Sequence, residues 1–478
     1  MATRRRVKPA TNGSPSASPA NRQTPPRRKP SVFKLVTSLG RIGICIAALY
    51  VLYKRYTTEE VSTSVPAVEE TFEPIEADLH RSNLVLEALQ ESYRAYEEHA
   101  FGFDDFHPIS KTGSNMSPKG PIGYFLIDSL DSLWIAGMKD EFQRARDWVA
   151  TELDFSKLDD KYHTFEITIR VLGGLLSAYH LSGEQDVMLL NKAVDLADRL
   201  LPAFETKSGL PLSFVNLAQQ KGIPDEDNYG LISVAEAGTL QLEFKYLSEL
   251  TGNPVYWEKV EHQDHLVCFL SASLLLGAST SSSLSNPLAL PPLEDEFSDS
   301  NQDDWYLGKE LLRTCVDTYF SSKTGLAPEI VNFYTPRGSP SVSASEPSNR
   351  EWFINSRQLT APEPPIDARN ILRPETAESL FVAYRVTGDP IYREWGWRIF
   401  EAFKKHCRLE EGGFASIRDV DQVPAQHEDR METFWISETL KYLLLLFSGP
   451  EVLPLDKFVF NTEAHPLPVF TPTVPRSS

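Results

Sequence analysis

Four cysteines in 478 residues are too few for a scaffold built on disulfides. Cys45 falls in an apolar stretch and Cys407 has no evident partner. Cys268 and Cys315 remain, as a disulfide in an oxidising compartment or as two buried thiols. No Gly-rich phosphate loop, Cys/His zinc spacing or Ser-His-Asp order is evident, which disfavours nucleotide, zinc and serine-hydrolase chemistry. Acidic residues are missing from residues 1–57, which hold twelve Lys or Arg; beyond them stand 35 basic against 66 acidic residues. So acidic a body repels phosphate, and nucleic acid is excluded as its partner.

Residues 1–31, rich in Pro, Ser and Arg and without an apolar period, read as a disordered basic cytoplasmic tail. Within 32–55, the run Leu35 to Tyr53 is apolar apart from Thr37, Ser38 and Arg41. About 20 apolar residues span a bilayer, and Arg41 can snorkel toward the basic side. Basic flanks stay cytoplasmic and no small-residue cleavage site follows. The segment therefore reads as an uncleaved signal anchor of a single-pass type II membrane protein, its body in the lumen. An amphipathic helix and a mitochondrial presequence are the alternatives. Residues 56–78 read as a stem and 79–478 as the body, with a Ser-, Pro- and acid-rich insertion at 277–305.

Inside the body one unit recurs. "LLSAYHLSGEQDVMLLNKAVDLADRLLPAF", "LEFKYLSELTGNPVYWEKV" and "LFVAYRVTGDPIYREWGWRIFEAF" each place an apolar-periodic helix, a short turn and a second helix, and "LWIAGMKDEFQRARDWV" is a looser copy. "SGLPLSFVNL", "TGLAPEIVNF" and "EGGFASIRDV" each give glycine and then a short extended piece. Such hairpins cannot bury their faces singly and must stack or close into a ring, so an all-α toroid is predicted.

Carboxylates interrupt its apolar helices. Glu166 and Arg170 are four apart on one face, with Gly173 and Gly174 beyond them to admit another backbone. Glu375 and Glu378 are three apart, next to Tyr384; Glu432 and Glu438 punctuate an aromatic run; Glu236 and Glu243 lie two turns apart. Taken singly, Glu166 with Arg170 or Glu375 with Arg373 is also what a structural ion pair looks like. Gathered at one end of a ring, the same groups suit acid–base work on a polyol. "VFNTEAHPLPV" sets Asn461, Thr462, Glu463 and His465 among apolar neighbours, which demands an ion, a ligand or a dense hydrogen-bond network.

Several strings, "GYFLIDSLDSLWIAGM", "TFEITIRVLGGLLSAYHLSG", "AEAGTLQLEFKYLSELTG", "LRPETAESLFVAYRVTGDPIYREWGW", "METFWISETLKYLLLLF" and "VFNTEAHP" among them, resemble in order the class I α-1,2-mannosidases of glycoside hydrolase family 47. The resemblance implies an (α/α)7 barrel that trims α-1,2-linked mannose from high-mannose N-glycans in the ER or Golgi, with inversion and with Ca2+, and a monomer is expected. It implies that Thr462 binds the calcium through its hydroxyl and carbonyl oxygens, that Glu166 is the general acid with Arg170 beside it, and that Glu375 is the candidate base with Arg373 beside it. Glu378, Glu438 and Glu463 would hold calcium waters or the sugar, Glu236 and Glu329 would line the cleft, and Cys268 would pair with Cys315.

The resemblance breaks at one place. Between "NPVYWEKVE" and "HQDHLVCF", around Glu261, the family carries several more helices and a string Ala-Asp-Ser-x-Tyr-Glu-Tyr-Leu whose Asp is assigned to catalysis. No Asp here matches it, so an incomplete ring is expected. An exon absent from the predicted transcript, a splice form and a lectin-like quality-control factor are the competing explanations.

Overall fold

The computed structural model describes residues 75–474 apart from 207–210, 227–239, 259–267, 281–291, 293–296, 334–349, 351 and 355–363. The expected tail, anchor and most of the stem lie outside the described residues. Among the described ones no helix is long and apolar enough to cross a membrane.

Helix α1 (Leu79–Ala100) opens the body, its first turn capped by the Asp78 carboxylate on Arg81 N. Short helices α2 (Tyr124–Asp128) and α3 (Leu130–Ile135) follow, and α3 folds back on α4 (Lys139–Thr151). Next come α5 (Thr164–Ile167), α6 (Gly173–Leu181) and α7 (Val187–Leu200), then α8 (Gln241–Thr251) with α9 (Pro254–Glu258). The remaining pairs are α10 (Leu270–Ser279) with α11 (Asp299–Phe320), and α12 (Glu375–Thr387) with α13 (Ile391–His406); α14 (Lys441–Phe447) ends the series. All four hairpins expected from the repeat are present.

Amphipathic spacing decides which face each helix buries. In α7 the core receives Leu189, Ala193, Leu196, Ala197 and Leu200, a run at three- and four-residue intervals. Helix α14 differs, since Lys441 to Phe447 are all buried, and it lies between α12 and α1. Each fully buried Leu or Phe there contributes roughly 1.5–3 kcal/mol of transfer free energy. The residue before the first helix meets the end of the last one in this layer: Asp78 N donates to Phe447 O at 2.8 Å.

Short antiparallel ladders decorate the ring: β1 (Asp105–His107) with β2 (Thr112–Ser114), then β3 (Tyr162–His163), β4 (Phe214–Asn216) and β5 (Lys221–Ile223) in one sheet. Strands β6 (Asn332–Phe333) and β7 (Trp352–Phe353) pair, as do β8 (Phe458–Phe460) and β9 (Pro466–Pro468). Two of the expected extended pieces are β4 and β6. The third bridges Phe414 to Arg408, and Ile417 to Asn370 and His427.

Helices take up both ends of the insertion expected at 277–305. Helix α10 continues to Ser279, and the acidic run at its far end starts α11, because Ser298 Oγ caps Asn301 N at 3.2 Å. Cys268, just before α10, is disulfide-bonded to Cys315 in α11. Neighbouring units pack closely around most of the ring, α6 on α8 and α10 on α12 included. No comparable packing joins α8 to α10 among the described residues, and the chain between α9 and Cys268 lies outside them.

Candidate active site

Two helical segments widen into π geometry, Thr168–Leu172 between α5 and α6, and Trp435–Leu440 before α14. A π turn inserts one residue into the α-helical ladder, and such bulges concentrate at functional sites. The first carries Arg170 and the second Glu438.

Glu166 keeps a third of its side chain exposed, 34 %. Its Oε2 accepts from Tyr124 Oη at 3.1 Å and from Arg170 Nε at 2.9 Å. The other end of the guanidinium donates from Nη1 to Thr433 Oγ1 at 3.1 Å, to Asp128 Oδ2 at 3.4 Å and to Glu463 Oε1. Desolvation works against this cation, but Tyr124, Asp128, Glu166 and Glu438 outweigh it and hold Arg170 charged.

Glu375 begins α12 with 35 % of its side chain exposed, and Arg373 Nη1 lies 3.5 Å from its Oε1. Arg373 also forks onto Glu329, from Nη2 to Oε1 at 2.6 Å and from Nε to Oε2 at 3.1 Å. The two arginines share a neighbour: Phe434, buried, has Arg170 at 5.9 Å and Arg373 at 5.6 Å from its ring centroid. Burial raises the Glu375 carboxyl against the pull of Arg373. Burial and the charge of Glu375 push Glu378 up to about 8, although Tyr442 hydrogen-bonds it. Glu438 is pushed well above the carboxylate range by burial, with Arg170 opposing and Glu375, Asp128 and Glu378 adding.

The polar cluster of 461–465 is a hydrogen-bond network. Asn461 Oδ1 accepts from Glu463 N and His465 N, both at 2.9 Å, while its Nδ2 donates to Ile169 O at 2.8 Å and Glu243 Oε1 at 2.7 Å. Ala464, at φ 59°, hands its carbonyl to Lys441 Nζ at 2.8 Å. His465 meets Asp131 Oδ2 at 2.7 Å and Asp128 Oδ1 at 3.2 Å. A Cβ on Gly174 would stand 2.7 Å from Ile127 O, so that glycine admits the backbone expected there, whereas one on Gly173 would stand 2.5 Å from Asn461 Nδ2, so Gly173 makes room for a side chain instead. Thr462 alone is exposed between buried neighbours.

The structure therefore brings Glu166, Arg170, Glu329, Arg373, Glu375, Glu378, Glu438 and Glu463 into one connected neighbourhood. Glu236 lies outside the described residues. Tyr384, expected beside Glu375 and Glu378, instead stacks under Arg393 at 4.1 Å, and Tyr442 takes that place. Helical phase is the reason: Tyr384 is six residues from Glu378, on the far side of α12. Sequence reasoning passed over Tyr124, Asp128, Asp131, Phe434 and Lys441. Asp128 and Asp131 had left a signal, two acids three apart inside the apolar run "FLIDSLDSLW".

The sequence profile of glycosyl hydrolase family 47 matches residues 88–263 and 259–469. The chain belongs to glycosyl hydrolase family 47. Its match to that family comes in two pieces that meet at 259–263, where the resemblance breaks. Family 47 relatives include an endoplasmic reticulum mannosyl-oligosaccharide 1,2-alpha-mannosidase of Schizosaccharomyces pombe, 34% identical over 531 residues that cover 88% of this chain and 95% of the relative. That alignment is longer than the chain, so the relative carries residues this family member does not. A mannosyl-oligosaccharide 1,2-alpha-mannosidase of Candida albicans is 36% identical over 494 residues, 81% of this chain and 83% of the relative. Among solved structures, an alpha-1,2-mannosidase from Trichoderma reesei superposes with a TM-score of 0.67 at 26% identity, covering 83% of this chain and all of that one. The fold is thus the (α/α)7 barrel of family 47, and the chain is of a glycosidase family.

Proposed function

We propose that this chain takes the terminal α-1,2-linked mannose of high-mannose N-glycans and hydrolyses it with inversion, Glu166 as general acid and Glu375 as general base. One observation carries the reading: two carboxylates, each about a third exposed, are each beside their own arginine, and both arginines reach the Phe434 ring, at 5.9 and 5.6 Å from its centroid. Glu166 would give its proton to the glycosidic oxygen, while Glu375 takes one from a water attacking the anomeric carbon from the opposite face. Inverting pairs leave room for that water, with carboxyls about 6.5–9.5 Å apart. Arg170 orients Glu166, and Arg373 favours the carboxylate form of Glu375 that a base needs.

The donor set around Thr462 fits calcium. Among the described residues neither its hydroxyl nor its carbonyl oxygen takes part in a hydrogen bond, and the residue is exposed. No three His, Cys, Asp or Glu side chains among the described residues stand close enough to hold a metal, so Glu378, Glu438 and Glu463 would act through water. When bound, the ion would supply a hard Lewis acid for sugar hydroxyls. An ER setting is supported by relatives named for that compartment, and a type II anchor at 32–55 by the basic flank before it.

A second reading, glycan binding without turnover, is favoured by the break at 259–263, because the family string with a third acid is not in this chain. Proton NMR of sugar freed from a high-mannose N-glycan by the full chain separates the two. β-Mannose appearing first is expected, α-mannose first overturns inversion, and saturable binding without release selects the second reading.

A further inference from the structure

Tyr124 is placed with unusual care for a residue whose phenol ends on Glu166. Asp104, fully buried, accepts Ile122 N and Tyr124 N, both at 3.0 Å, on one carboxylate oxygen. Between them Gly123 sits at φ 76°, and a Cβ there would stand 2.7 Å from the Trp148 ring. That turn launches α2, and its first residue is Tyr124. The ring face carries the Arg170 guanidinium at 5.1 Å, and the hydroxyl donates to Glu166 Oε2 at 3.1 Å.

Both donors to Glu166 fall on the same oxygen. Oε2 takes Tyr124 Oη and Arg170 Nε, whereas Oε1 takes no hydrogen bond among the described residues. A carboxyl oxygen holding two donors has no room for a proton of its own. We infer that Tyr124 is a positioning residue for Glu166, its hydroxyl fixing Oε2 as the accepting oxygen so that the acid's proton is carried on Oε1. The inference rests on the reading of Glu166 as the acid.

A phenol can do this only as a donor, and burial holds the Tyr124 hydroxyl protonated, well above its ordinary range. The other charges near the pair are Arg170 on the same helical segment, Asp128 on α2, Glu438 on the second π turn, Glu432 before it, and Glu463 beyond the arginine. All of them stay in place when only the hydroxyl is removed.

The test titrates Glu166 directly, in the full chain in detergent, with glutamate labelled by 13C at Cδ and the Glu166 line assigned by its loss in Glu166→Gln. Removing a donor from a carboxylate disfavours the charged form, so Tyr124→Phe should raise the midpoint by about half to one pH unit. Replacing Tyr124 by 3-fluorotyrosine, a stronger donor of nearly the same shape, should lower it. A midpoint that stays put in both proteins, or moves the other way, overturns the inference. Turnover is not the readout: a shifted midpoint with no mannose released sinks the hydrolytic reading alone, and released mannose with an unmoved midpoint sinks this one alone.

Discussion

Lys441 Nζ and Asp131 Oδ1 meet at 2.7 Å with neither side chain open to solvent. Burial alone would raise the Asp131 carboxyl, but Lys441 and His465 draw it down to about 2. Cutting one partner from such a pair leaves a buried charge alone, which costs about 3–5 kcal/mol. Lys441→Met should lose that much in urea unfolding, and Asp131→Asn with Lys441→Met should lose less than the two single losses added. Additive losses would mean the pair is not coupled.

Glu243 has the opposite character. Its carboxyl is fully buried, accepts from the Asn461 amide, and is pushed up to about 7 by burial. The folded chain then keeps a proton that the unfolded chain releases near pH 4.5, so this group makes stability fall as pH rises from about 4.5 to 7 and level off above. Glu243→Gln, which still accepts from Asn461, should remove that slope and gain up to about 3 kcal/mol at pH 8. A variant whose pH–stability curve parallels the parent's contradicts this.

The Cys268–Cys315 bridge closes a loop of 47 residues across α10 and α11. Chain-entropy reasoning assigns such a loop about 4 kcal/mol. Denaturant midpoints of Cys268→Ser with Cys315→Ser should fall accordingly. An unchanged midpoint would mean the helix packing alone fixes the pair.

An ion bound to the folded chain alone stabilises it by mass action, about 2.7 kcal/mol at a hundredfold excess over its Kd. Chelation should lower the melting temperature, and Thr462→Ala should melt low with or without chelator. Equal melting of the parent in calcium and in chelator argues against a site at Thr462.

Glu166→Gln keeps the shape and the Tyr124 and Arg170 contacts but has no proton to give. Hydrolysis of a high-mannose N-glycan should drop about 10²–10⁴-fold, with glycan affinity retained by calorimetry. Loss of binding together with turnover would recast Glu166 as a substrate anchor.

Periodicity made the helical ring legible, because the hairpins at 173–200, 241–258 and 375–406 bury faces that the 3.6-residue spacing already marks. Glu166 with Arg170 was legible for the same reason, four residues being one turn. Phe434 was not, since its closeness to both Arg170 and Arg373 depends on three segments far apart in the chain. Nor was Lys441, whose burial in "LKYLLLLF" contradicts the usual cost of an interior ammonium until Asp131 is seen opposite it. The acidic run at 299–304 reads as loop by composition, yet it forms the first turns of α11 behind a serine cap.

The π turns at 168–172 and 435–440 make the site unusually sensitive to chain length. Each is one residue longer than an α-helix needs, so a single deletion there would leave a more regular helix. It would also swing everything beyond it by about 100°, turning Gly173 away from Asn461 or Lys441 away from Asp131. At these two points the barrel keeps a slightly irregular backbone so that Arg170 and Glu438 can face the same way as the buried polar groups beyond them, and point substitutions should be borne there far better than the loss of one codon.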